Sequence, residues 1–121
     1  MVKERIGGEI LKGHIATMVL AVISDTPRHG YDIMKTLSRR SEGVFELGQG
    51  TIYPLLYSLE EEGLVRSKDE VVDGRVRRVY SISPKGKRSL RRRRQTWQVL
   101  RSAIESVLGG VQMEGLAHVR I

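Results

Sequence analysis

The clearest pattern of hydrophobic and polar positions lies between residues 50 and 65. Apolar residues recur there at i, i+3, i+4 and i+7, which predicts a helix with one buried face. These apolar residues are Ile52, Leu55, Leu56 and Leu59. The opposite face starts small and polar, carries tyrosines and becomes acidic only at its end. Its members are Gly50, Thr51, Tyr53, Pro54, Tyr57, Ser58 and Glu61. Such a helix buries one side in the fold and offers the other side to a partner.

The residues at the two ends of this segment predict where the helix begins and ends. Thr51 is a suitable N-cap, and Pro54 then lies in the first turn, where its missing N–H costs least. Gly63 is the residue expected just past the C-terminus. Exposed hydroxyls and backbone N–H groups at a helix N-terminus suit the edge of a DNA groove and its phosphates.

Two further helices are predicted upstream, over residues 9–24 and about 30–41. Their core faces are Ile15, Met18, Val19, Val22 and Ile23 in the first, and Ile33, Met34 and Leu37 in the second. We expect Tyr31 and Ile33 to seat the second helix against the first. A glycine-marked connection over residues 42–49 leads to the third helix, and this order of elements predicts a helix-turn-helix.

A β-hairpin is predicted after the third helix, because Asp73-Gly74 is a strong two-residue turn signal flanked by valines. With the turn at this position, two pairs of opposite charges face each other and support the register, Glu70 with Arg77 and Asp69 with Arg78. These arginines then have partners within the hairpin, whereas Arg75 at its tip is free. A hairpin in this place makes the fold a winged helix-turn-helix.

The last predicted helix is long, with Ser83 as its N-cap and Pro84 as its first residue. It extends to about Leu108 and stops at Gly109-Gly110. A heptad assignment places Leu90, Trp97, Ile104 and Val111 at a, and Arg93, Leu100 and Val107 at d. A small winged helix leaves such a seam nothing to pack on, so the seam predicts a homodimer. The expected dimer contacts are Leu90, Trp97, Leu100, Ile104, Val107 and Val111.

Composition and charge narrow the class of protein. The 121 residues predict one domain, and the net charge of +7 predicts attraction to polyanions. The absence of cysteine excludes a disulfide framework and a thiolate metal site. No apolar run is long enough to span a membrane, and the N-terminus lacks the layout of a signal peptide. We therefore expect a cytoplasmic protein with no membrane contact.

Three ordered motifs have spacings that match one known family. They are His29-Gly30-Tyr31-Asp32-Ile33 at the second helix, Gly50-Thr51-Ile52-Tyr53-Pro54-Leu55-Leu56 with Leu59-Glu60 and Glu62-Gly63-Leu64-Val65 at the third, and Arg77-Arg78-Val79-Tyr80-Ser81-Ile82-Ser83-Pro84-Lys85-Gly86 at the wing. Together they resemble the PadR family of bacterial transcription regulators, from about Leu11 to Trp97. The chain departs from the family at Tyr57 and Ser58, where many members carry histidine or lysine followed by arginine.

The resemblance implies a mainly α fold with a β-hairpin wing. A winged helix-turn-helix would occupy residues 1–83, and a dimerisation helix and tail would occupy residues 84–121, as in the smaller subfamily with a single C-terminal helix. It further implies a repressor that binds an inverted repeat in double-stranded DNA as a homodimer. The residues expected at the DNA are Gln49, Thr51, Tyr53, Pro54, Tyr57, Ser58, Arg75, Arg77 and Lys35. Tyr80 matches the wing tyrosine of the family and is expected in the core.

A small-molecule effector is also expected from the resemblance. In PadR-like regulators that sense planar drugs, a tryptophan of the C-terminal helix stacks on the ligand between the subunits, and Trp97 looks like that residue. The alternative is an aromatic residue that fills the interface without a ligand. The neighbouring arginines favour a planar neutral or anionic ligand over a cationic one. The expected contacts are Trp97, Arg93, Arg94 and Leu100.

Other functions receive less support from the sequence. The three histidines are isolated, and no set of His, Asp and Glu has catalytic or ligand spacing, so we expect neither an enzyme nor a cofactor or metal. Two alternatives stay open. In the first alternative, the winged helix is a protein-interaction module that uses the same surface. In the second, the protein is a regulator that senses an anionic, nucleotide-like ligand through its basic C-terminal helix.

Overall fold

The computed structural model describes residues 14–109. In chain order these residues form α1 (Ile15–Ser24), β1 (Arg28–His29), α2 (Gly30–Arg40), α3 (Gln49–Glu61), β2 (Val65–Val72), β3 (Arg75–Ile82) and α4 (Pro84–Val107). The fold is mainly helical with a β-hairpin wing, which confirms the predicted fold class. The predicted start of the first helix at residue 9, the seam residue Val111 and the tail over residues 112–121 lie outside the described residues.

The hydrophobic core lies between the first three helices and the sheet. Val19 of α1, Ile33 of α2 and Ile52 of α3 are fully buried, as the predicted apolar faces require. Tyr80 is in the core as expected, and its burial raises the pKa of its hydroxyl. Tyr31 differs from the prediction, because it is 56% exposed. Two residues span about 200° around a helix, so Tyr31 and Ile33 lie on opposite sides of α2.

The wing belongs to a three-stranded antiparallel sheet in the order β1-β3-β2. The predicted register is confirmed, with Glu70 opposite Arg77 and Asp69 opposite Arg78. At the turn, Asp73 and Gly74 have φ angles of 51° and 77°. A type I′ turn requires positive φ at both central positions, which explains the Asp-Gly sequence.

Strand β1 is absent from the sequence prediction, which has only a turn over residues 25–28. Two residues are too few to give a periodic pattern, and the strand exists because β3 is there to pair with it. The Arg28 side chain fixes this segment. Its Nε donates to the Val22 carbonyl at 2.7 Å, and its Nη1 donates to Asp32 at 3.1 Å and to Thr36 at 3.2 Å. Arg28 thereby ties the end of α1 to α2.

Helix α4 begins and ends close to the predicted positions. The Ser83 hydroxyl accepts the N–H of Gly86 at 3.0 Å, which confirms the N-cap. The same hydroxyl donates to the Gly63 carbonyl at 2.6 Å. The last helical residue is Val107, and Gly109 has a φ of 81°. The start of α4 is therefore hydrogen-bonded to Gly63, just after the end of α3, and the helix ends just before the predicted glycine.

The first half of α4 packs on α1 of the same chain, contrary to the expectation that this helix has nothing of its own to pack on. Leu90 is 6% exposed and belongs to the core. Further along, Arg93 donates to the Thr17 hydroxyl at 3.3 Å, and the Trp97 ring meets the edge of His14 with centroids 5.3 Å apart. The buried Leu90 is therefore a core residue and does not belong to the predicted dimer seam.

Candidate nucleic-acid interface

Helix α3 begins three residues before the predicted N-cap would place it. Gly48 is its N-cap and Gln49 is its first residue, so Thr51 lies within the first turn and is not the N-cap. Pro54 consequently lies inside the helix, beyond the first turn. Because proline has no N–H, the Gly50 carbonyl one turn earlier lacks its helical donor. Gly50 and Pro54 are both exposed, which leaves this carbonyl open to solvent or to a ligand.

The outward face of α3 is the predicted one. Its exposed residues are Gln49, Gly50, Thr51, Tyr53, Pro54, Tyr57, Ser58 and Glu61. Tyr57 is 66% exposed and is the more exposed of the two tyrosines on this face. The first hydrogen bonds of the helix run from the N–H groups of Thr51 and Ile52 to the Gly48 carbonyl. The amides of Gln49 and Gly50 come before these bonds in the chain. They lie at the positive end of the helix, where an anion is favoured.

Tyr53 is held in place by a glycine of α2. A Cβ atom at Gly30 would come within 2.5 Å of the Tyr53 hydroxyl oxygen, so the tyrosine ring lies directly on the start of α2. This close approach explains why the His29-Gly30-Tyr31 motif has glycine at its centre. The ring is still 40% exposed. Tyr53 therefore anchors α3 to α2 and also contributes to the outward face.

The C-terminal end of α3 is fixed by its glycine and by α4. Gly63 has a φ of 77°, and its N–H bonds to the Glu60 carbonyl at 3.0 Å, while the N–H of Leu64 bonds to the Leu59 carbonyl at 2.9 Å. This is a Schellman motif, and it confirms the predicted helix end. The Lys85 ammonium donates to the Glu62 carbonyl at 2.8 Å. Both ends of the outward-facing helix are thus attached to the rest of the fold.

The two faces of the wing differ in charge. Side chains of paired residues lie on the same face of a sheet, and one face carries Arg66, Lys68, Glu70, Arg75 and Arg77. Within the described residues, no ion pair involves Arg66, Arg75 or Arg77. Glu70, which lies opposite Arg77, pairs with Lys68 at 3.3 Å instead. Arg78 lies on the other face and pairs with Asp69 at 3.5 Å. The pairing of Arg78 within the wing is confirmed, whereas Arg77 has no such partner.

That other face of the wing also contacts the end of α3. A carboxylate oxygen of Glu60 accepts a hydrogen bond from the Ser67 hydroxyl at 2.5 Å, and it lies 4.0 Å from Arg78. Ser67 belongs to β2 and Arg78 to β3. One side chain of α3 therefore contacts both strands of the wing. No local sequence pattern indicates this contact, since three consecutive glutamates usually indicate a solvated helix end.

Lys35 lies on the exposed side of α2, and its ammonium nitrogen is 5.5 Å from the centre of the Tyr31 ring. This is the geometry of a cation–π contact. Tyr31 directly follows Gly30, on which Tyr53 lies. Tyr31 is therefore the neighbour of the residue that Tyr53 contacts, and Lys35 is exposed one turn further along α2. The motif around Tyr31 predicts a core contact, and no sequence signal indicates that its ring is exposed.

The second half of α4 presents an apolar stripe to solvent. A groove of about 700 Å³ runs along this stripe, lined by Gln95, Thr96, Val99, Leu100, Ala103, Ile104, Val107 and Leu108. Among these residues Val107 is 86% exposed. Trp97 is 45% exposed beside it and is partly covered by His14. Trp97 thus lies on the same side of α4 as Leu100 and Ile104. Arg93, in contrast, is hydrogen-bonded to Thr17 of α1.

Other kinds of site find no support in the part of the chain that the structure describes. No group of three or more His, Cys, Asp or Glu residues there could hold a metal ion. Among residues 14–109, no helix is long and apolar enough to cross a membrane.

Arg40 donates to Asp25 at 2.8 Å and lowers the pKa of that carboxyl, so the end of α2 is paired with the loop after α1.

A helix-turn-helix followed by a β-hairpin wing defines a winged-helix protein. The sequence profile of the PadR-like family of transcriptional regulators matches residues 19–92, and the chain belongs to this family. Members of this family are transcriptional regulators and not enzymes. Membership of the family therefore supports the expectation that this protein is not an enzyme.

Individual relatives agree with this assignment. The chain is 35% identical over 102 residues to the transcriptional regulator Rv3488 of Mycobacterium tuberculosis, a match that covers 84% of this chain and 90% of the relative. A solved PadR-like transcriptional regulator from Bacillus cereus has a TM-score of 0.76 at 28% identity, covering 85% of this chain and 99% of that one. A solved Streptococcus transcriptional regulator has a TM-score of 0.73 at 32% identity, covering 82% and 96%.

Proposed function

We propose that this protein regulates transcription by binding a specific double-stranded DNA operator through the part of the outward face of α3 that runs from Gln49 to Ser58. The observation that carries this proposal is the composition of that face. It joins the helix N-terminal amides of Gln49 and Gly50, which have no hydrogen-bond partner among the described residues, to hydroxyl and aromatic side chains on a helix that is fixed at both ends. A recognition helix in the major groove uses its N-terminal residues in this way. The proposed contacts are Gln49, Thr51, Tyr53, Pro54, Tyr57 and Ser58.

The wing and α2 supply the charges that phosphate binding needs. Arg75 and Arg77 lie on one wing face without ion pairs among the described residues, and we assign them to the flanking minor groove or phosphates. Lys35, held over Tyr31, is assigned to the backbone on the other side of α3. The net charge of +7 favours a polyanion over a protein as the partner of this surface.

We assign the second half of α4 to a homodimer contact. Its exposed apolar stripe includes Trp97, Leu100, Ile104 and Val107, and its groove lies open along a single helix. The same helix of a second copy carries the same exposed apolar stripe. A two-fold pair of subunits would present two α3 helices to an inverted repeat. A dimer bound there excludes other proteins from the same DNA, which is why we propose repression.

An effector site next to this contact is a separate proposal. Trp97 is 45% exposed near the apolar stripe, whereas Arg93 is engaged with Thr17. Arg94 is exposed and is therefore the arginine available for a planar anionic or neutral ligand. Trp97 is the only tryptophan, so its fluorescence reports binding directly. Unchanged emission across planar anions, nucleotides and dyes would mean that Trp97 only packs.

The test of the DNA-binding proposal is selection of bound duplexes from a random library, followed by affinity measurement. The expected product is an inverted repeat whose half-sites lie about 10 base pairs apart, because each subunit inserts one helix into successive major grooves on one face. Recovery of duplexes that share no sequence would leave only charge-driven binding. Recovery of no duplex at all would favour the protein-interaction alternative.

A further inference from the structure

The contact between α3 and the wing has a role that the DNA-binding surface itself does not explain. We propose that Glu60 is a positioning residue, which fixes the wing relative to α3 and thereby sets how well the protein distinguishes its operator from other DNA. This inference deepens the proposed function and rests on it.

The geometry places Glu60 at the joint between the two elements. It lies in the last turn of α3, and its carboxylate accepts from Ser67 of β2 at 2.5 Å. The same carboxylate faces Arg78 of β3 at 4.0 Å, and Arg78 reaches Asp69 at 3.5 Å. A hydrogen bond to an ionised acceptor is about twice as strong as a neutral one. A single carboxylate therefore holds both strands of the wing at one distance from α3.

Stability of α3 alone does not account for this residue. A negative charge near a helix C-terminus faces the negative end of the macrodipole and is unfavourable there. Glu61 is in the same unfavourable position and is exposed, with no ion pair or side-chain hydrogen bond in the described part of the chain. Glu60 differs from Glu61 because its carboxylate contacts the wing. The function of the Glu60 carboxylate therefore lies in that contact.

Charge and position predict opposite effects on operator binding. A carboxylate close to DNA repels phosphates, and Glu60 also helps to neutralise Arg78. If only charge mattered, removal of Glu60 would strengthen binding to every duplex. If Glu60 positions the wing, its removal leaves Arg75 and Arg77 at variable distances from α3. Binding to the operator, which needs both elements at once, then weakens relative to binding to unrelated DNA.

The test compares Glu60→Ala with Glu61→Ala, which removes the same charge one residue further on. Affinities for the selected operator and for an unrelated duplex are measured at one salt concentration. The ratio of the two affinities is expected to fall about tenfold in Glu60→Ala, a change of about 1.4 kcal/mol, and to stay within about twofold of wild type in Glu61→Ala. A Glu60→Ala ratio equal to that of Glu61→Ala would overturn the proposal.

Two further variants separate the hydrogen bond from the charge. Glu60→Gln keeps an oxygen acceptor for Ser67 but removes the charge, and it is expected to retain most of the wild-type ratio. Ser67→Ala keeps the carboxylate but removes the donor, and it is expected to lose the ratio as Glu60→Ala does. If Glu60→Gln resembled Glu60→Ala while Ser67→Ala resembled wild type, the charge and not the contact would be responsible.

A measurement without DNA makes the result independent of the proposed function. Backbone ¹⁵N relaxation of the wing, β2 and β3, should show lower order parameters in Glu60→Ala than in Glu61→Ala, with α1 and α2 unchanged. Equal order parameters in the two variants would contradict the positioning role. If the wing loosens but wild-type protein shows no operator preference, the positioning role stands and the DNA-binding proposal fails.

Discussion

At the scale of single residues, Gly86 lies where α4 passes close to the root of the wing. A Cβ atom at Gly86 would collide with the Leu64 carbonyl oxygen and with the Ile82 side chain. The obstacle includes backbone, which cannot give way without separating α4 from β2. We therefore expect Gly86→Ala to lower the free energy of unfolding by about 1–3 kcal/mol, as measured by urea denaturation.

Gly50→Ala is the matched control for that substitution. Gly50 lies within α3 with no atom near the position of a Cβ, so alanine there should raise the free energy of unfolding by about 0.5–1 kcal/mol through helix propensity. A Gly86→Ala protein as stable as Gly50→Ala would show that α4 does not approach Leu64 closely.

The sequence predicts the conformation of residues whose roles depend on a few neighbours in the chain. It does not predict contacts between segments that are distant in sequence. Gly63, Asp73 and Ser83 follow local rules for helix ends and turns, and all three adopt the expected conformation. Thr51 was misplaced because the actual N-cap, Gly48, has no side chain to indicate a cap. The contact of Tyr53 with Gly30 joins distant segments, which no local pattern can reveal.

At the scale of elements, the two faces of the wing predict different effects on DNA binding. Replacing Arg75 and Arg77 together by alanine should weaken binding to all duplexes, because it removes two unpaired charges from one face. The slope of log K against log salt should become shallower by about 2, given about 0.9 per phosphate contact. Fluorescence anisotropy over a salt series measures this slope.

Arg78→Ala is the control for the wing charges, since Arg78 lies on the opposite face between Asp69 and Glu60. Its salt slope should equal that of wild type. Equal loss of slope in Arg78→Ala and in the Arg75 and Arg77 variant would indicate that the wing acts through net charge and not through one face.

Helix α4 contains two halves that the heptad pattern could not separate. The seam reads as one apolar stripe in the sequence, yet its first half is covered by α1 of the same chain and its second half is exposed. Periodicity identifies which face of a helix is apolar, but not which neighbour covers it. For this reason Leu90 was assigned to the dimer, whereas the fold uses it in the core.

Ile104→Asp tests the assignment of the second half to a dimer. Ile104 lies on the exposed apolar stripe, and Ser106 is exposed about 200° away around the helix. Ile104→Asp should sediment as a monomer at concentrations where Ser106→Asp is a dimer. Its operator affinity should also fall, because the two half-sites are no longer bound by a tethered pair. A dimeric Ile104→Asp protein would place the contact elsewhere.

At the scale of the whole molecule, the proposed dimer contact on α4 is linked to the proposed DNA-binding face of α3. The start of α4 is bonded to the end of α3, through Ser83 to Gly63 and through Lys85 to Glu62. A change in the spacing of two α4 helices would therefore move the attached α3 helices. An effector at Trp97 would alter DNA affinity only if it binds one of these spacings better than another.

The most direct measurement of the central claim is the affinity of wild-type protein and of Tyr57→Ala for the selected operator and for a scrambled duplex of equal length. Tyr57 is 66% exposed on the outward face of α3, so its truncation should leave the fold intact. Wild type should prefer the operator by at least about 10³-fold, and Tyr57→Ala should lose about 1–3 kcal/mol of that preference while binding the scrambled duplex as before. Equal affinity of wild type for both duplexes, or an unchanged preference in Tyr57→Ala, would contradict the claim that this face reads DNA sequence.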